Sequence, residues 1–200
     1  MPPLVHAALA HSQFEAIHPF LDGNGRVGRL LITLLLVGRQ VLPSPLLYLS
    51  AFFEATRPEY YARLVGVTER GEWEEWLDYF LRGVAGQAED ALDRIQRIVA
   101  LLVDWRKRIT KAPSRLPEHA LDLFVENPFW TVNKLAARLD VAFTTAQRAI
   151  DRLDAAGVVT LATAAKRNRV YCARAILEIL EEPPHLPHPG RHVGPRGGRT

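Results

Sequence analysis

The residues best suited to chemistry lie in one short stretch, His18-Pro19-Phe20-Leu21-Asp22-Gly23-Asn24-Gly25-Arg26-Val27-Gly28-Arg29. Their types fit a polyphosphate and a hard cation. An imidazole such as that of His18 can take a proton from an incoming nucleophile. Asp22 offers the kind of oxygen ligand that holds Mg²⁺ through one carboxylate together with substrate phosphates. Gly23, Asn24 and Gly25 stand where a helix begins, so unpaired N–H groups and the positive end of the macrodipole face an anion that the glycines let the backbone approach. Arg26 and Arg29, three apart, project on one side of that helix and can pair with further phosphate oxygens through bidentate guanidinium bonds. Taken singly, each residue has an ordinary explanation: a capping or core histidine, an Asp-Gly turn, or solvated arginines. Their company is what makes the chemical reading the stronger one.

The flanking pattern supplies the elements that position this loop. Leu4, Val5, Ala8, Leu9, Phe14 and Ile17 recur near helical spacing, which predicts a helix over about 3–17. His6 and His11 fall on that helix and are assigned no chemistry. After the Pro- and Gly-punctuated loop, the apolar run Val27–Val37 predicts a helix buried on most sides that ends near Gly38. Pro43 and Pro45 mark a turn, and Pro58 opens a further helix at its first turn. Tyr48, Phe52, Phe53, Tyr60 and Tyr61 read as mainly core, with one tyrosine free to line a site. From Trp73 to about Ile109 the apolar spacing is helical throughout, as one long helix or two in series, because Gly83 and Gly86 are only mildly costly inside a helix. Arg39, Arg57 and Arg63 read as ordinary solvated charges.

The stretch at 18–29 resembles the motif of the Fic family, His-x-Phe-x-Asp/Glu-Gly-Asn-Gly-Arg-x-x-Arg. His18, Phe20, Asp22, Gly23, Asn24, Gly25, Arg26 and Arg29 fill every specified position. A chance match of that length is on the order of 10⁻¹⁰ per start site at about 5% per residue type. The resemblance implies an all-α core that transfers AMP from Mg·ATP to a Ser, Thr or Tyr hydroxyl of a target protein; removal of AMP would use the same residues. It implies His18 as the catalytic base, Asp22 as the Mg²⁺ ligand, and Gly23, Asn24, Gly25, Arg26, Gly28 and Arg29 as ATP-binding residues. Phe20 is expected to anchor the loop in the core. The likeness extends over Tyr48–Phe53 and Glu59–Tyr61, and Thr56, where the family often carries Asn, joins the ATP-binding candidates near the adenosine. Family members carry N-terminal helices and a β-hairpin flap ahead of the motif helix, whereas this sequence opens 17 residues before His18. The expectation is therefore an N-terminally truncated core, with protein modification impaired and nucleotide binding better supported.

Lys111-Ala112-Pro113-Ser114 breaks the helical pattern and sets the expected division: a Fic-type domain over 1–112, a second domain over 115–181 and a disordered tail over 183–200. The second domain shows helical patterns at about 116–126, 131–139 and 143–156, closed by Gly157. Two β-rich runs follow, at Val158–Leu161 and Val170–Cys172, joined by a loop holding Lys166, Arg167 and Arg169. Three helices and a hairpin predict a winged helix-turn-helix. From Thr131 to Arg174 eight basic residues stand against three acidic ones, a surface suited to nucleic-acid phosphates. Thr144, Thr145, Gln147 and Arg148 are its candidates for base edges, and Lys166, Arg167 and Arg169 for the DNA backbone. Protein docking or homodimer formation would use the same module, so the alternative function is a DNA-binding or protein-docking regulator with a nucleotide-binding Fic remnant.

Composition excludes several classes. The 200 residues are 48% hydrophobic and 24% charged, with net charge +3, which is the balance of a globular chain rather than a disordered or fibrous one. The fold class expected is mainly α, a partial Fic-type helical core followed by a small winged-helix domain. A single cysteine, Cys172, rules out an intramolecular disulfide framework and reads as a small buried residue. Apolar runs fall far short of the roughly 18 residues that span a membrane. No secretory signal is visible at Met1-Pro2-Pro3-Leu4, so a cytoplasmic location without a membrane partner is expected.

Overall fold

The computed structural model describes residues 1–44, 47–109, 114–163 and 168–183. It is mainly helical with one small antiparallel sheet, and its contacts divide into two compact units at Leu92/Asp93. Among the described residues, no helix is long and apolar enough to cross a membrane.

The first unit is built from α1 (Pro3–Ile17), α2 (Asn24–Gly38), α3 (Leu49–Ala55), α4 (Arg57–Arg70) and the first part of α5 (Trp73–Ile109). Pro3 and Pro58 sit in the first turns of α1 and α4, where a missing N–H costs nothing. Gly71, at φ +68°, closes α4. Ala7 and Ala8 of α1 and Ile32 and Leu36 of α2 are buried with an aromatic cluster of Phe52, Phe53, Tyr60, Trp76, Tyr79 and Phe80. The Trp76 indole N–H donates to the Ala8 carbonyl at 3.0 Å, tying α5 to α1. Of the five aromatic residues expected mainly in the core, Phe52, Phe53 and Tyr60 are buried, whereas Tyr48 and Tyr61 are exposed.

Residues 73–109 form one helix, α5. A Cβ built on its Gly83 would lie 2.4 Å from two carbons of the Phe52 ring. The glycine lets α3 approach, and it bends no helix into two. The contact division within α5 lies upstream of the composition break expected near 112. The reason is that Trp105 and Ile109, with Ile98, Leu101 and Leu102 beside them, pack into the second unit's core. Residues 110–113 at that break, and the tail from 184 onward, lie outside the described residues.

The second unit adds α6 (Leu116–Glu126), α7 (Val132–Leu139), α8 (Phe143–Ala155) and α9 (Arg174–Glu181) to strands β1 (Phe129–Thr131), β2 (Thr160–Leu161) and β3 (Val170–Cys172). The strand order is β1-β3-β2, all antiparallel, with Trp130 opposite Tyr171 and Thr160 opposite Cys172. Leu121, Phe124, Leu135, Ala146, Ile150, Leu153, Val158 and Val159 fill the core. Thr131 caps α7, its hydroxyl accepting from the Lys134 N–H at 3.3 Å. Gly157 follows α8 at φ +70°, and Val158 N–H bonds back to the Leu153 carbonyl at 2.9 Å, a Schellman-type ending. Cys172 is buried, and that burial pushes its thiol up. Strand β1 has no counterpart among the expected strands: Phe129-Trp130-Thr131 is three residues long and directly abuts a helix, too short for an alternating pattern to register.

Candidate functional site

The loop between α1 and α2 is shaped by two left-handed residues and one buried amide. His18 ends α1 at φ 50°, ψ 57°, with its N–H donating to the Phe14 carbonyl at 3.0 Å. Gly23, at φ +81°, starts α2, a conformation in which a side chain is strained. Directly after Gly23, Asn24, 2% exposed, closes the loop: its Oδ1 accepts from the Phe20 N–H at 2.9 Å and its Nδ2 donates to the Phe20 carbonyl at 2.6 Å. The amide of Asn24 therefore holds the loop's own backbone. Because α2 starts at Asn24, the Asn24 and Gly25 N–H groups have no intrahelical acceptor.

The loop opens onto a cleft of about 310 Å³ lined by His18, Leu21, Asp22, Gly23, Asn24, Gly25, Arg26 and Arg29, and by Phe53, Glu54, Arg57, Tyr60 and Tyr61 from α3 and α4. Three arginines thus face two carboxylates. Asp22 and Arg26 lie 3.6 Å apart, and Glu54 and Arg57 lie 3.7 Å apart. All four side chains are well exposed, so neither pair is strong. Among the described residues no group of three or more His, Cys, Asp or Glu side chains could hold a metal ion.

Two expected ATP-binding residues, Gly28 and Thr56, lie outside the cleft lining, and Phe20 lies outside the core. Gly28 does not line the cleft; it is buried where α1 crosses α2. A Cβ there would lie 2.3 Å from Glu15 Oε1 and 3.1 to 3.2 Å from the His11 ring, so its missing side chain serves helix packing. Thr56 is also outside the lining. Its hydroxyl bonds the Phe52 carbonyl and the Tyr79 hydroxyl, each at 2.7 Å, which commits it to the α3–α4 junction. Phe20 is 50% exposed, its ring centroid 6.2 Å from that of Phe14, and it does not reach the core. The loop is anchored by Asn24.

Beneath the cleft, His11 is fully buried and its Nε2 lies 2.9 Å from the Tyr60 hydroxyl. Its ring stacks on Phe53 and Trp76. Burial lowers its pKa from 6.5 to about 4, with a partial offset from the Gly28 backbone, so the ring is neutral near pH 7. Burial likewise raises the Glu15 carboxyl against the pull of Arg29 and His18. Sequence reasoning gave His11, Glu54 and Arg57 no part in the site. The nearest signal was position: His11 stands two helical turns before His18, and Arg57 one turn before Tyr61.

In the second unit a separate cleft of about 430 Å³ is lined by Thr131, Val132, Asn133, Phe143, Gln147, Asn168 and Arg169. It brings together Gln147 and Arg169 of the expected nucleic-acid candidates. Thr144 and Arg148 are exposed and Thr145 is half-buried on the first turns of α8, outside that lining. Gln147 donates to Asp151 at 2.6 Å and reaches the Tyr171 hydroxyl at 3.4 Å. Lys166 and Arg167 lie outside the described residues.

Residues 1–36, which carry the whole motif loop, match the profile of the Fic/DOC family. The chain is similar to protein adenylyltransferase fic-1 of Caenorhabditis briggsae, 39% identical over 94 residues, which is 47% of this chain and 16% of that protein. The likeness to fic-1 of Caenorhabditis elegans is 39% over 92 residues, 46% of this chain and 16% of that protein. Protein adenylyltransferase Fic of Drosophila ananassae is 57% identical over 37 residues, 18% of this chain and 7% of the relative. The chain therefore spans about a sixth or less of the length of the curated relatives it matches.

Proposed function

We propose that the first unit binds Mg·ATP in the motif cleft and transfers AMP to a hydroxyl side chain of a protein. The observation that carries this reading is the folded loop itself. The Asn24 clamp and left-handed Gly23 hold the start of α2 so that its free amides, Arg26, Arg29, Asp22 and His18 face one cleft. A polyphosphate set there meets backbone donors and two guanidinium groups already in place, and such preorganisation is most of what phosphoryl-type transfer requires. Asp22 would hold the Mg²⁺, whose charge offsets that of the phosphates. His18 takes the proton of the target hydroxyl as that oxygen bonds the α-phosphorus. The bond from the α-phosphorus to the bridging oxygen breaks, and pyrophosphate leaves with Arg26 and Arg29 neutralising its charge. The similarity of residues 1–36 to the Fic/DOC family and to proteins named adenylyltransferases supports the same reaction.

Incubation with Mg²⁺ and ATP labelled in its α-phosphate tests the proposal on the native chain and His18→Ala, with lysate as acceptor. Label that requires His18 supports AMP transfer. Equal labelling by both chains, or none from the native chain, refutes it.

A second reading concerns the second unit, where α6, α7 and α8 with the β1-β3-β2 sheet support a winged-helix assignment. Gln147 and Arg169, set in one cleft beside the exposed Phe143, give this unit a surface for DNA. Binding to duplex DNA that weakens steeply with salt and survives His18→Ala would support it. Binding that does not respond to Arg169→Ala and Arg148→Ala together would count against it.

A further inference from the structure

The α3–α4 wall of the motif cleft carries a charge pair that the proposed reaction does not use. Glu54 lies one residue before the end of α3 and Arg57 opens α4, and both line the same cleft as the motif loop. The pair is held loosely. At 3.7 Å, with side chains 61% and 70% exposed, it contributes little and exchanges readily. The guanidinium is also kept at the cleft by stacking, 5.7 Å above the centre of the Tyr61 ring. This arrangement repeats that of the motif pair Asp22 and Arg26, which is more exposed still and separated by 3.6 Å. In both cases an arginine facing the cleft rests on a carboxylate three or four residues before it.

We infer that Arg57 is a third polyphosphate-binding arginine and that Glu54 is the counter-ion it leaves when a nucleotide binds. The inference rests on the nucleotide reading of the cleft. Mg·ATP and the Asp22 carboxylate together bring more negative charge than Arg26 and Arg29 offset, and Arg57 is the remaining arginine among the described residues of the lining. A guanidinium exchanging an exposed carboxylate for phosphate oxygens gains the shorter, charge-assisted bonds that its planar fork matches. With its partner withdrawn, Glu54 stays as a negative charge beside the phosphates, so the cleft binds nucleotide less tightly than it would without that carboxylate.

The test is calorimetric titration of the full chain with ATP and Mg²⁺. Arg57→Gln is expected to weaken binding about tenfold, in line with the loss of one charge-assisted contact. Arg57→Lys, which keeps the charge, retains part of the affinity, and Glu54→Gln tightens binding severalfold. Because both side chains are exposed, all three variants should unfold like the native chain. Arg29→Gln serves as the reference for the cleft. If Arg29→Gln loses affinity while Arg57→Gln stays within twofold of the native chain, the inference fails and the nucleotide reading stands. If Arg57→Lys loses as much as Arg57→Gln, or Glu54→Gln weakens binding, the charge-exchange account is overturned. A native chain that binds no ATP overturns both.

Discussion

Gly83→Ala opposes helix propensity to packing, and the structure decides the sign. Alanine inside a helix is favoured over glycine by about 1 kcal/mol, and Gly83 sits in the interior of the 37-residue α5, so local reasoning predicts a stabilised protein. The packing predicts the reverse. A Cβ at 83 would lie 2.4 Å from Phe52 Cδ1 and Cε1 and 3.2 Å from Cγ, where carbon atoms normally approach to about 3.5 to 4.0 Å. The ring cannot retreat easily: Phe52 is 2% exposed and is flanked by Tyr79 at 5.0 Å and Phe53 at 5.8 Å between ring centroids. Overpacking of a filled core costs about 1–3 kcal/mol and occasionally more, and a clash with a ring held on several sides belongs at the upper end. The net expectation is a loss of about 2 kcal/mol. Gly38→Ala is the control, since a Cβ at Gly38 meets nothing within 4 Å and should leave stability unchanged or slightly raised. Urea denaturation, with hydrogen exchange of α3 amides to isolate the first unit, measures both. A Gly83→Ala chain as stable as the native one or more so would refute the close approach of α3 to α5.

Three further outcomes follow from the same structure. Asn24→Ala removes both bonds to the Phe20 backbone and should cost about 2 kcal/mol; hydrogen exchange at the Phe20 amide should quicken and ATP binding should be lost, whereas unchanged exchange would contradict the clamp. Burial holds His11 at about 4, below its ordinary 6.5, so its contribution to stability is full above about pH 6.5 and is lost as pH falls through 4, roughly 3 kcal/mol in all; between pH 7 and 4 the native chain should lose more stability than His11→Asn, and equal slopes would refute the assignment. Thr56→Val leaves the Tyr79 hydroxyl without its 2.7 Å partner and should cost about 1 kcal/mol, while ATP affinity, measured by calorimetry, stays within twofold; a large loss of affinity would return Thr56 to the nucleotide site.

Much of this molecule is determined by short-range information that a sequence carries openly. The helices α1, α2, α6, α7 and α8 begin and end close to where apolar spacing, the prolines and Gly157 place them, because caps and periodicity act within a few residues. The motif is legible for the same reason, since His18, Asp22 and Arg26 to Arg29 belong to one loop and the turn that follows it. Only the tertiary structure decided which side chains face the cleft and which are spent on holding it. Asn24 and Thr56 carry polar groups suited to a ligand, yet their bonds go to Phe20, Phe52 and Tyr79. Gly28 reads in the sequence as part of the motif and Gly83 as a mild cost inside a helix, whereas each is a notch cut for a side chain from another helix, Glu15 with His11 in one case and Phe52 in the other. Arg57 reads as a surface charge until α3 and α4 are laid beside the motif loop and place it in the cleft. Local spacing specifies the elements and their chemistry; the partner of a buried amide, a glycine or an arginine is set by segments distant in the chain, which no local pattern encodes.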